Sequence, residues 1–132
     1  MDKVELIDYW IDSSESDFGT MINLYQSKDY HWSLFIGHLV IEKLLKAIFI
    51  KRTSLDHPPR THDLLLLCEK SKLLTDEMQK DALDLITTFN ISARYPDYKK
   101  KFYEKCTEDY ASKQIDKIKE MRIWLKSILE EK

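Results

Sequence analysis

The segment Tyr30–Lys51, YHWSLFIGHLVIEKLLKAIFIK, decides the fold, because it is long enough for a helix and is apolar on most of its circumference. His38, Glu42 and Lys46 follow one another at intervals of four residues, so they form one polar line along a helix. A helix that is hydrophobic on most sides has to be covered on most sides. The segment is therefore predicted to be the central helix of a bundle and to lie in or beneath a homodimer interface. The charged residues at its middle exclude a membrane span.

The rest of the 132-residue chain has few places to turn, since it holds only two glycines and three prolines. Further helices are predicted over residues 3–28, 62–72, 75–90 and 107–129. Thr61 and Thr75 are the expected N-caps of the second and third of these, and Met78 is expected to face inward. Residues 90–105, NISARYPDYKKKFYEK, have no clean period and are predicted to form an irregular connection. The prediction is one all-α domain over residues 1–132, an antiparallel up-and-down bundle of four to five helices.

Composition narrows the function classes. The 21 basic and 23 acidic residues give a net charge of −2, so the whole molecule has no general attraction for nucleic acid. Two isolated cysteines, Cys68 and Cys106, are too few for a disulfide framework or a four-ligand zinc site, and no metal or cofactor is expected. With only Gly19 and Gly37, the chain lacks a glycine-rich phosphate loop. The amino-terminal sequence has no signal-peptide pattern, so we expect a cytoplasmic protein.

Positive charge is concentrated in one place. Residues 90–105 carry five basic and two acidic side chains, a local charge of +3 that leaves −5 for the rest of the chain. Arginine and lysine suit phosphates, and the tyrosines between them could stack on bases. The alternative is that the aromatic side chains anchor a loop while the lysines are merely solvated. The candidate ligand-binding residues are Arg94, Tyr95, Tyr98, Lys99, Lys100, Lys101 and His62.

Two smaller groups of polar residues each allow two interpretations. The line of His38, Glu42 and Lys46 is either an acid–base arrangement in a cleft or a structural ion pair on a buried helix. His62 either lies with Arg60 and Arg94 in a phosphate pocket or belongs to the capping region of the third helix.

Three motifs, in order along the chain, resemble the HEPN domain family. They are EKLLKA at Glu42–Ala47, HDL at His62–Leu64 and RYPD at Arg94–Asp97. The last resembles a subgroup of stand-alone prokaryotic members. The resemblance extends over about residues 8–129 and implies a helical bundle, commonly a homodimer. It also implies nucleotide or RNA binding and a minimal nucleotidyltransferase as partner, in a toxin–antitoxin-like pair.

Many HEPN proteins are metal-independent ribonucleases, and their catalytic members carry an arginine followed by a histidine four to six residues later. Here Lys99, Lys100 and Lys101 stand where a histidine after Arg94 would be. An Arg-x4-His does occur at Arg52 and His57, directly after the central helix rather than at the family's position, which makes these two residues weak catalytic candidates.

The expected function is therefore nucleotide or RNA binding without robust ribonuclease activity, in support of a nucleotidyltransferase partner. The rival interpretations are a metal-independent endoribonuclease toxin and an interaction module without a ligand.

Overall fold

The computed structural model describes residues 1–131, which form six α-helices and no β-strand. In chain order the helices are α1 (Lys3–Gln26), α2 (Tyr30–Arg52), α3 (Leu64–Lys70), α4 (Glu77–Arg94), α5 (Pro96–Lys105) and α6 (Glu108–Glu130). The predicted all-α bundle is confirmed, with one helix more than the expected four to five. Between residues 1 and 131, no helix is both long and apolar enough to cross a membrane.

Helix α2 is the centre of the bundle, as predicted. It packs against α1, α3, α4 and α6, and 14 of its 23 residues are buried. Only Arg52, at its last position, is exposed. Most of the apolar circumference of α2 is thus covered by the chain's own helices, while Trp32, Phe35, Ile36 and Leu39 stay partly exposed. Little apolar surface of α2 is left for the homodimer interface predicted there.

Close contacts fix α2 against its two longest neighbours. On the α1 side, the hydroxyl of Ser14 donates a hydrogen bond to the carbonyl oxygen of Val40 at 2.7 Å. On the α6 side, Gly37 allows the approach of Ile118, whose Cδ1 would lie 2.5 Å from a Cβ atom at position 37. The Lys51 ammonium donates to the carbonyl oxygens of Ile128 and Leu129, which satisfies groups that a helix C-terminus leaves unpaired.

The predicted irregular connection over residues 90–105 is wrong, because the segment consists of the last turn of α4 and the whole of α5. Pro96 explains the break between them: it disfavours helical backbone at Tyr95 and is itself well suited to a first helical position. Helix α5 buries one aromatic side chain, Phe102, against Phe89 with ring centroids 5.7 Å apart. A ten-residue helix with a single buried residue lacks the repeated apolar positions from which a helix is predicted.

Both predicted threonine N-caps are also wrong. The N-cap of α3 is Asp63, two residues after Thr61, and the N-cap of α4 is Asp76, directly after Thr75. Asp63 caps α3 by accepting from the backbone N–H of Leu66, and Asp76 caps α4 in a reciprocal capping box with Gln79. Aspartate and threonine are both good N-caps, so composition alone did not decide between them. Met78, predicted to face inward, is 82% exposed in the first turn of α4.

Candidate functional site

A buried carboxylate organises the polar line of α2. Glu42 is 4% exposed, and its two oxygens have different partners. The Lys46 ammonium donates to Oε2 at 3.1 Å, and Nδ1 of His62 lies 2.5 Å from Oε1. Because a carboxylate paired with a lysine only accepts hydrogen bonds, His62 donates from Nδ1. The polar line is therefore an ion pair, as one interpretation had it, that also positions an imidazole from the loop before α3.

His38 is the second buried group of the line, and its hydrogen bonds define one tautomer. Its Nε2 lies 2.8 Å from the carbonyl oxygen of His62, which can only accept, so Nε2 carries the proton. Nδ1 is then an acceptor, and the amide nitrogen of Asn90 donates to it at 3.4 Å. Burial lowers the pKa of His38, against the opposing effects of the carbonyl hydrogen bond and of Glu42. Both the geometry and the environment favour the neutral imidazole.

Asn90 carries this arrangement across to Arg94. Its buried side chain presents the amide nitrogen to His38 and the amide oxygen to Arg94, whose Nη2 donates to it at 2.5 Å. The Nε of Arg94 donates to the backbone oxygen of Asn90 at 3.3 Å. Two hydrogen bonds to one residue thus orient the Arg94 guanidinium.

We call Lys46, Glu42, His62, His38, Asn90 and Arg94 the polar network. Donors and acceptors alternate consistently along it: Arg94 donates to Asn90, Asn90 to His38, and His38 to the backbone of His62. The ring of His62 then donates to Glu42. A single protonation pattern satisfies every member, which is what a buried polar network requires to be stable.

Two members of the polar network, Arg94 and His62, reach solvent. Arg94 is exposed and forms no ion pair with any carboxylate of residues 1–131. The side chain of His62 is 55% exposed, and its Nε2 has no hydrogen-bond partner within the described residues. The guanidinium of Arg94 can therefore donate further hydrogen bonds to a ligand, and Nε2 of a neutral His62 can accept one.

Aromatic rings flank the exposed guanidinium. The Cζ atom of Arg94 lies 5.5 Å from the ring centroid of Tyr95 and 6.0 Å from that of Phe35. Tyr95 is 51% exposed and ends α4, so one side of its ring is open to solvent. Such rings attract cations and also stack on nucleobases.

Helix α5 places the predicted lysines next to this surface. Lys99 lies with its Nζ 5.1 Å from the ring centroid of Trp32, while Lys100 and Lys101 are exposed along with Tyr98. Nearby, burial and the charge of Lys99 lower the pKa of His31. None of the three lysines takes part in the polar network: Lys99 lies over Trp32, and Lys101 lines a depression between α4, α5 and the start of α6.

The weak catalytic candidates lie elsewhere and have separate partners. Arg52 donates to the carbonyl oxygen of Lys72 at 3.1 Å, at the end of α2. His57 is exposed in the following loop, where its Nδ1 lies 2.8 Å from the carboxylate of Asp56. No hydrogen bond or ion pair joins Arg52 to His57 within the described residues. The capping interpretation of His62 is also replaced, since Asp63 is the cap and His62 belongs to the polar network.

Both cysteines lie outside the polar network. Cys68 and Cys106 are free and buried, and burial raises the pKa of each thiol to about 12. Among residues 1–131, no three histidine, cysteine, aspartate or glutamate side chains converge closely enough to hold a metal ion.

Sequence reasoning missed Asn90 and Phe35. Asn90 was placed at the start of a loop, although a polar residue one turn after the apolar Ile86 and just before the apolar Ala93 is the signal of a buried polar position on a helix. Phe35 is one of many apolar residues in the α2 segment, and nothing in the sequence distinguishes a half-buried phenylalanine beside an arginine from a fully buried one.

This arrangement defines a class before any comparison: an all-α bundle in which a buried hydrogen-bond network orients an exposed arginine and an exposed histidine. The family model described as HEPN domain matches residues 7–128, nearly the whole chain. The chain belongs to the HEPN domain family, whose members are generally linked to nucleotides or RNA. Searches of curated proteins and of solved structures give no significant match.

Proposed function

We propose that the chain is one HEPN domain that binds nucleotide or RNA through a ligand surface formed by Arg94, Tyr95, the α5 lysines and His62. We further propose that it acts as a homodimer beside a minimal nucleotidyltransferase, in a toxin–antitoxin-like pair in the cytoplasm. The family membership supports the class of ligand, and the polar network supports the site.

The observation that carries the proposal is the state of Arg94. An exposed arginine on a surface usually pairs with a nearby carboxylate or extends into water. Arg94 is exposed but held: Asn90 fixes its guanidinium through two hydrogen bonds, and no carboxylate of residues 1–131 forms an ion pair with it. A planar cation held in one orientation is well suited to grip a phosphate through two parallel hydrogen bonds.

The α5 lysines contribute attraction of longer range. Lys99, Lys100 and Lys101 are exposed on one short helix that begins two residues after Arg94. Exposed lysines act mainly as screened charges, so their contribution to binding should fall as salt concentration rises. Arg94 and the lysines therefore have separable effects on affinity and on its salt dependence.

The test is binding of a fluorescent nucleotide and of a short single-stranded RNA. Arg94→Ala should weaken binding about tenfold or more, as expected for the loss of a charge-assisted contact of about 1.5–3 kcal/mol. Replacing Lys99, Lys100 and Lys101 by glutamine should weaken binding and make its salt dependence shallower. Arg52→Ala is the matched control, because it removes an arginine from a helix end outside the polar network.

Three results would contradict the proposal. Unchanged binding in both the Arg94 and the lysine variants would dismiss this surface. Unfolding caused by Arg94→Ala, seen as lost helix content, would make Arg94 a structural residue. An effect of Arg52→Ala equal to that of Arg94→Ala would favour the Arg52–His57 region instead.

A second candidate function is metal-independent RNA cleavage, favoured by the contact between Glu42 and His62. A histidine whose Nδ1 is held by a buried carboxylate and whose Nε2 is free has the hydrogen-bond geometry of a proton-transfer group. His62 would then supply from the α3 side the imidazole that the sequence lacks after Arg94. Cleavage of RNA in the presence of a chelator, lost in His62→Gln with binding retained, would establish this function. Binding without cleavage is the outcome that our primary proposal expects.

A further inference from the structure

One face of α4 lies outside the polar network and carries two adjoining surface depressions. The larger has a volume of about 530 Å³ and lies between the N-terminal half of α4 and α6. Its apolar side chains are Met78, Ala82, Leu85, Met121 and Trp124. Its charged side chains are three acids and one base: Asp76, Asp81, Glu120 and Lys117. We call this the acidic half of the face.

The smaller depression, of about 170 Å³, lies between the C-terminal half of α4, α5 and the start of α6. Leu85 lines it too, so the two depressions meet at this residue. The remaining apolar and aromatic side chains are Tyr98, Phe102 and Tyr110. Its only charged side chains are Lys101 and Lys105. We call this the basic half.

The two halves form one continuous stripe on α4. Met78, Leu85 and Ser92 follow one another at intervals of seven residues, which places them on the same side of the helix. At about 1.5 Å per residue, the stripe is roughly 21 Å long with Leu85 at its midpoint. Charge changes sign at that midpoint, from −2 over the acidic half to +2 over the basic half.

We propose that this face pairs with the same face of a second copy of the chain, with the two α4 helices antiparallel and a two-fold axis near Leu85. A two-fold axis at the midpoint lays the acidic half of each copy over the basic half of the other. Residues equidistant from Leu85 then face one another, so Met78 lies opposite Ser92 and Ala82 opposite Thr88. The inference deepens the proposed homodimer. Tyr98 and Lys101 line this face and are also candidate ligand-binding residues, whereas Arg94, Tyr95 and His62 line neither depression.

Apolar exposure and charge together select a second copy as the occupant. Met78 is 82% exposed at one end of the face, and large apolar groups in a groove with a charged rim are typical of protein interfaces. A partner of a single charge would match one half of the face and be repelled by the other. A surface whose two halves carry equal and opposite charge about one midpoint is complementary to itself.

Charge exchange tests the proposal by sedimentation of the full chain without ligand. The wild-type protein should be dimeric at micromolar concentration. Lys101→Glu with Lys105→Glu makes the whole face acidic, and Asp81→Lys with Glu120→Lys makes it basic. Each pair should weaken the homodimer about tenfold or more through like-charge repulsion.

Two combinations should restore association. A mixture of the all-acidic and all-basic variants should form a heterodimer, and a chain with all four substitutions should form a homodimer again, because its halves have exchanged signs. Lys28→Glu with Lys119→Glu is the matched control, with two charge reversals outside the lining of the face. Thr88→Arg, an exposed position next to the axis, should weaken the dimer independently of the lysines.

Two outcomes would overturn the inference and are distinguishable. A wild-type dimer that all three disrupting changes leave intact would place the interface elsewhere while the homodimer stands. A wild-type protein that stays monomeric at 100-fold higher concentration would remove both the homodimer and this face, and neither result would bear on ligand binding at Arg94.

Discussion

Glu42→Gln tests whether the polar network is specified by charge. The substitution keeps the shape of the side chain but replaces one acceptor oxygen by a donor amide. Either the Lys46 ammonium or Nδ1–H of His62 then meets a donor. Hydrogen bonds to charged groups contribute about 1.5–3 kcal/mol each, and the remaining amide oxygen of glutamine still accepts one of the two. We expect the free energy of unfolding to fall by about 1–3 kcal/mol, and the thermal midpoint by about 4 °C for each kcal/mol.

The same substitution should change the tautomer of His62. With glutamine at position 42, the amide oxygen remains with Lys46, so the amide nitrogen donates to Nδ1 of His62 and the ring proton moves to Nε2. Nitrogen NMR of the histidine rings, together with urea unfolding, measures both effects. Glu69→Gln is the matched control on an exposed position of α3. A stability within about 0.5 kcal/mol of wild type, with the Nδ1–H tautomer of His62 retained, would refute the reasoning.

Three further predictions concern the core. Because the folded state holds His38 neutral and lowers its pKa, the unfolded state binds more protons in mild acid. The free energy of unfolding should therefore decrease as pH falls below about 6.5, by at most about 1.4 kcal/mol per pH unit for this group. His38→Gln should reduce that slope in urea titrations at several pH values, with His31 responsible for a remainder of the same sign; an unchanged slope would contradict the prediction. The two buried thiols should react slowly with iodoacetamide at pH 8 until urea unfolds the protein, because their raised pKa leaves almost no thiolate; immediate labelling of the native protein would show that they are accessible. Gly19→Ala should stabilise the protein by about 0.5–1 kcal/mol, since nothing lies within 4 Å of the added Cβ. Gly37→Ala should instead destabilise it by about 1 kcal/mol, because the added Cβ displaces the side chain of Ile118 on α6. Equal effects of the two substitutions in calorimetry would contradict the packing described at α2.

The long helices were predictable from sequence because their apolar residues repeat over many turns. The predicted bounds of α2, Tyr30–Lys51, differ from the structure by one residue, and α6 was predicted within a residue at either end. Helix α5 was missed for the opposite reason, because Phe102 is its only buried residue and most of its positions carry exposed lysines, tyrosines and acids.

The candidate site was predictable in its parts and not in its connections. The sequence placed His38, Glu42 and Lys46 on one side of a helix, and the structure confirms that Glu42 pairs with Lys46. The sequence did not predict that Nδ1 of His62 lies 2.5 Å from Oε1 of Glu42, because this contact depends on the path of the loop between α2 and α3. Contacts between residues distant in sequence, such as His38 with Asn90, follow from the packing of helices and have no local signal.

The most direct test of the central claim is an NMR titration of the wild-type protein with a short single-stranded RNA, followed by the same titration with a nucleoside triphosphate. The account predicts that the largest shifts occur at the Nε–H of Arg94, at the imidazole of His62 and at the backbone amides of α5. The shifts at Arg94 and His62 should saturate together, because both side chains belong to one network. Saturating shifts confined to α1, α6 or the region of Arg52 and His57 would contradict the account, as would the absence of any shift at millimolar ligand.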